Sequence, residues 1–67
     1  MSLKKKSFSL SGHRTSVALE EEFWAVLETA AVGNMTALVG QIDAQRGERP
    51  LASALRLHAL ALVRAQS

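Results

Sequence analysis

The sequence predicts a small α+β domain, an N-terminal strand or hairpin followed by three helices, and three observations carry that prediction. Residues 13–19 alternate as a strand, with Thr15, Val17 and Leu19 on one face and Arg14, Ser16 and Ala18 on the other. Glu20, Glu21 and Glu22 follow directly, where a helix N-terminus favours negative charge. Two further runs with helical spacing of apolar residues come next, divided by Gly33-Asn34 and by the stretch from Gly47 to Pro50. A lone strand with one apolar face is not stable, so this one needs a partner. In a chain of 67 residues the expected partner is a second copy of itself.

Each element has its own reasons. Lys5 to Leu10 also alternates, with Phe8 and Leu10 on one side and Ser7 and Ser9 on the other, and Ser11-Gly12 suits a turn. Residues 1–12 are therefore either the first strand of a hairpin or a loose arm. Helix A is expected over 20–32, where Phe23, Leu27, Ala30 and Ala31 share a face that Trp24 and Val26 widen. Gly33 suits the left-handed residue past its end. Asn34 is a good N-cap for helix B, 34–46, which places Met35, Leu38, Val39 and Ile42 at i, i+3, i+4 and i+7. Gly40 weakens that helix by about 1 kcal/mol relative to alanine, which implies that another backbone comes close there. Pro50 suits the first turn of helix C, 50–65. Leu51, Leu55, His58 and Leu62 share one face of it, whereas Leu57, Leu60 and Val63 point elsewhere, a second argument for a dimer.

Composition narrows the function classes. The net charge is +2, but Lys4, Lys5, Lys6 and Arg14 stand at the strand end with no acid before Glu20. That end is a basic footprint of the kind a polyanion-binding module carries. The chain has no cysteine, and its two histidines, His13 and His58, are far apart, so neither a disulfide nor a metal site is expected. No apolar signal segment follows the lysines, and the most apolar run, Ala59 to Val63, is far short of the ~20 residues that span a bilayer. The expectation is a cytoplasmic protein without contact to a membrane. No nucleophile–base pair or phosphate-cradling glycine loop is present; Ser53 and His58 are five residues apart, which does not bring them together on a helix. The chain is not expected to be an enzyme or to hold a cofactor. Trp24 reads as a core anchor, the three glutamates as helix-dipole partners and His58 as a packing residue.

The order strand, helix, short turn, helix over Arg14 to Gln45 resembles the ribbon–helix–helix family, the Arc and MetJ repressor type. The string Gly12-His13-Arg14-Thr15-Ser16-Val17, then Glu20 to Trp24, Ile42-Asp43-Ala44 and Leu51 to Arg56, is similar to a small bacterial subgroup with a third C-terminal helix. The resemblance implies an intertwined homodimer in which the strands of two chains pair into an antiparallel ribbon that enters the DNA major groove. It implies base contacts from Arg14, Ser16 and Ala18, of which Ala18 offers only a methyl. The dimer core it implies is Thr15, Val17, Leu19, Phe23, Trp24, Leu27, Leu38 and Ile42. Phosphate contacts fall on Asn34, Met35 and Thr36 at the start of helix B, with Lys4, Lys5, Lys6 and His13 adding backbone contacts.

The function this implies is a dimeric, sequence-specific DNA-binding protein, a transcriptional regulator of repressor type whose partner is double-stranded DNA. The alternative is a protein-interaction module, or an antitoxin-like protein that holds another protein through helix C. An exposed leucine row on that helix favours the alternative.

Overall fold

The structure, a computed structural model, describes residues 2–66; Met1 and Ser67, the two ends of the expected single domain, lie outside the described residues. Strand β1 spans Leu3–Leu10 and strand β2 spans His13–Glu20. The two pair antiparallel from Leu3↔Glu20 to Leu10↔His13. Ser11 and Gly12, at φ 49° and 80°, close the hairpin as a two-residue turn with both central residues left-handed. That geometry matches the right-handed twist of the flanking strands. Of the two expectations for residues 1–12, the structure takes the hairpin. The partner that β2 needs is thus supplied by β1 of the same chain, and β2 keeps its other edge without a strand among the described residues.

Helix α1 spans Glu21–Ala31, α2 Met35–Gln45 and α3 Leu51–Ala65. Each begins one residue after its expected start because Glu20, Asn34 and Pro50 stand outside as N-caps. Asn34 caps through its side chain, whose Oδ1 accepts the Ala37 N–H at 3.1 Å. The turn after α1 needs two left-handed residues, Val32 at φ 49° and Gly33 at φ 86°. The glycine does this at no steric cost, while the branched Val32 is held there at about 1–2 kcal/mol.

The hairpin lies with one face on the helices. Phe8, Leu10, Val17 and Leu19 from the sheet meet Trp24 and Leu27 of α1, Val39 and Ile42 of α2, and Ala54, Leu55 and Ala59 of α3 in a single core. Phe8 and Trp24 stack at 6.0 Å between centroids, tilted by 42°, a favoured aromatic arrangement. The indole N–H of Trp24 donates to the Lys4 carbonyl at 2.8 Å, which ties α1 to the outer strand. Leu57, Leu60 and Val63 lie exposed on α3, as their spacing predicts.

Gly40 departs from expectation. The nearest atom to a Cβ built there is Leu10 Cδ2 at 3.8 Å, a side-chain tip at ordinary van der Waals distance and not a backbone. Gly40→Ala is therefore expected to stabilise the fold by about 1 kcal/mol, raising Tm by several degrees in a thermal melt. A lower Tm would mean that another chain packs against this glycine in solution.

Candidate nucleic-acid interface

Strand alternation sorts the hairpin into two chemically distinct faces. With Phe8, Leu10, Val17 and Leu19 turned inward, the opposite face carries Lys5, Ser7 and Ser9 from β1 beside Arg14, Ser16 and Ala18 from β2. The register sets Lys5 opposite Ala18, Ser7 opposite Ser16, and Ser9 opposite Arg14. All are exposed except Ala18, which is half-buried. The hydroxyls of Ser7 and Ser16 lie 2.9 Å apart, one donating to the other across the strands. The face is thus a flat row of hydroxyls with a cation towards each end.

This placement divides the expected phosphate contacts. Lys5 lies on the Arg14 face, whereas Lys4 and Lys6 alternate onto the other side. Lys6 is committed to α1: its Nζ is 3.4 Å from Glu28 Oε2 and 5.3 Å from the centroid of the Trp24 ring. His13 is exposed beside the hairpin turn, with the parity of the inward face. At the start of α2 the Asn34 side chain takes the Ala37 N–H, while the N–H groups of Met35 and Thr36 have no intrahelical acceptor. Ser7 and Ser9 were not singled out as site residues from the sequence. Their signal was the Lys5-Ser7-Ser9 alternation, which acquires meaning only once β1 is registered against β2.

The residues expected to line a dimer core lie within one chain. Val17, Leu19, Trp24, Leu27 and Ile42 are buried in the chain's own core, Phe23 and Leu38 pack partly buried against it, and Thr15 is half-buried.

One acid sits near the far end of the polar face. The backbone N–H at Glu20 and then Arg56, whose Nε donates to Glu20 Oε1 at 3.0 Å, hold the Glu20 carboxyl below its ordinary value of 4.5. Glu20 is thus paired with Arg56 of α3. Arg56 also lies 5.9 Å from the Phe23 ring centroid, so the same contact anchors α3 to the start of α1.

Among the described residues no cluster of three or more histidine, aspartate or glutamate side chains could hold a metal ion, and no single helix is long and apolar enough to cross a membrane. A family model described as a ribbon-helix-helix domain matches residues 3–63. No curated protein and no solved structure matches the chain.

Proposed function

The chain belongs to the ribbon–helix–helix family, and from that premise we propose that it is a homodimeric DNA-binding transcriptional regulator that lays a two-stranded β-ribbon in the major groove. Members of the family typically bind DNA and form dimers, and the fold is a regulatory one and not an enzyme's. The observation that carries the reading is the exposed polar face of the hairpin, with Arg14 and Ser16 on β2 and with Glu20, at the end of the strand, paired to Arg56. Arginine can donate two hydrogen bonds to guanine O6 and N7, a serine hydroxyl serves several base edges, and Ala18 offers a methyl contact to thymine. The first turn of α2, at Asn34, Met35 and Thr36, would hold a phosphate through its N–H groups and helix dipole.

Fluorescence anisotropy with a labelled short duplex tests this. The wild type is expected to bind at low salt and to weaken steeply as salt rises, because released counterions drive phosphate contact. Arg14→Ala should bind at least about tenfold more weakly, the worth of one good base contact. Salt-indifferent binding, or binding untouched by Arg14→Ala, would remove the ribbon face from the mechanism.

A second reading rests on α3. Leu57, Leu60 and Val63 are each 45–47% exposed, and Leu60 and Val63 border an apolar groove with the partly buried Phe23 and Val26 of α1. A partner protein held there would be lost on Leu60→Asp while DNA affinity stayed unchanged.

A further inference from the structure

Away from the hairpin, four polar side chains converge where α2 ends and α3 begins. Gln45 and Arg46 of α2, Arg49 of the connection and His58 of α3 line one cleft of about 420 Å³, a size that suits a small molecule. Ile42, Ala54 and Leu57 give it an apolar wall. Among the described residues no acid lines it. The acid nearest in sequence to Arg46, Asp43, is already engaged, because Arg46 Nε donates to its Oδ1 at 2.6 Å. Arg46 also donates through Nη1 to the Arg49 carbonyl at 2.8 Å. Its guanidinium is thus held in place with the second amino group, Nη2, still uncommitted. The Arg49 side chain is exposed and His58 is half-buried, and among the described residues neither side chain has a hydrogen bond or ion pair. Beside them α3 starts with no side-chain cap and no acid in its first turn, so its dipole adds positive potential there.

We infer that this cleft binds a small organic anion, an oxyanion group carried on an apolar body. Arg49 and the free amino group of Arg46 take the anionic oxygens, since guanidinium groups donate in a geometry that matches phosphate and carboxylate. The Gln45 amide and the His58 ring supply further donors. Ile42, Ala54 and Leu57 receive the apolar body, with Leu57 giving a side chain that is 46% exposed in the free chain something to cover it. The interior of a subunit interface is depleted in charged residues, and here two arginines and a histidine converge, which is the lining of a ligand site. A ligand held by Arg46 on one side and His58 on the other joins α2 to α3. The inference stands apart from the DNA-binding reading and from the way the ribbon pairs.

Titrating the isotope-labelled full chain with phenyl phosphate at constant ionic strength, followed by NMR, tests it. Saturable shifts are expected at Gln45, Arg46, Arg49 and His58, with weaker binding of inorganic phosphate and none of phenol. Arg49→Gln should weaken phenyl phosphate binding about three- to fivefold, the worth of one exposed ion pair. Arg64→Gln removes the same charge from the exposed last turn of α3 and should leave affinity within about 1.5-fold, because solvent screens a cation outside the cleft. Equal losses for the two arginines would mean unspecific charge attraction and would overturn the inference. So would inorganic phosphate or phenol binding as tightly as phenyl phosphate, or shifts centred on Lys4, Lys5, Lys6 and Arg14. Duplex DNA that shifts the same four cleft residues would overturn it too, by making the cleft part of a DNA surface. Failure of the wild type to bind duplex removes the DNA reading and leaves this one standing.

Discussion

Trp24→Ala is expected to remove a large part of the chain's folding stability. Trp24 is only 2% exposed, stacks on Phe8, lies beneath Lys6 and donates its indole N–H to the Lys4 carbonyl. It hydrogen-bonds α1 to the outer strand of the hairpin as well as packing against it. Truncating a buried aromatic costs about 3–5 kcal/mol. A domain of this length has a total stability of about 3–10 kcal/mol, at roughly 0.05–0.15 kcal/mol per residue. Trp24→Phe keeps most of the packing and loses the hydrogen bond, so it should cost closer to about 1–2 kcal/mol. Far-UV circular dichroism melts of the two variants check the gradient. A Trp24→Ala protein that melts like the wild type would contradict the packing described here.

The second large effect concerns α3, the element beyond the minimal strand–helix–helix pattern. Leu55 is fully buried and joins Ala54 and Ala59 of the same helix in the core. Leu55→Ala should cost about 2–5 kcal/mol, seen as a lower urea midpoint with an unchanged slope. Leu57→Ala, two residues on and 46% exposed, should stay within about 0.5 kcal/mol. The contrast separates the two roles of the helix: the Leu55 side completes the fold, and the Leu57 side is open to a partner. Equal costs at the two positions would mean that the Leu57 face is also covered in solution, as in a dimer built through α3.

Much of this arrangement was legible in the residues. Period-two alternation placed Val17 and Leu19 inward and Arg14 and Ser16 outward, because only that phase gives the helices an apolar sheet face to cover. The helix ends were marked by Gly33, Asn34 and Pro50, residues whose backbone chemistry suits few other positions. What the sequence left open was the pairing of the strands. Lys5 to Leu10 alternates as well as β2 does, but alternation alone does not say whether a strand pairs within its chain or with a copy. The positive φ of Ser11 ahead of Gly12 settles the turn, and serine is a less distinctive residue there than asparagine or aspartate. Gly40 misled for a related reason. A glycine signals that something is near without saying whether it is a backbone or, as here, the tip of Leu10. The division of the lysines followed from the same register, since a run of three cations reads as one patch until alternation turns Lys5 away from Lys4 and Lys6.

Titrating isotope-labelled protein with a short duplex and following its backbone amide resonances tests the central claim most directly, because it shows where DNA touches the chain without any substitution. The account predicts the largest shifts at Lys5, Ser7, Ser9, Arg14, Ser16 and Ala18, with a second, smaller group at Met35 and Thr36, all reversed by added salt. Shifts confined to α3 around Leu57, Leu60 and Val63, or none at low salt, would contradict it.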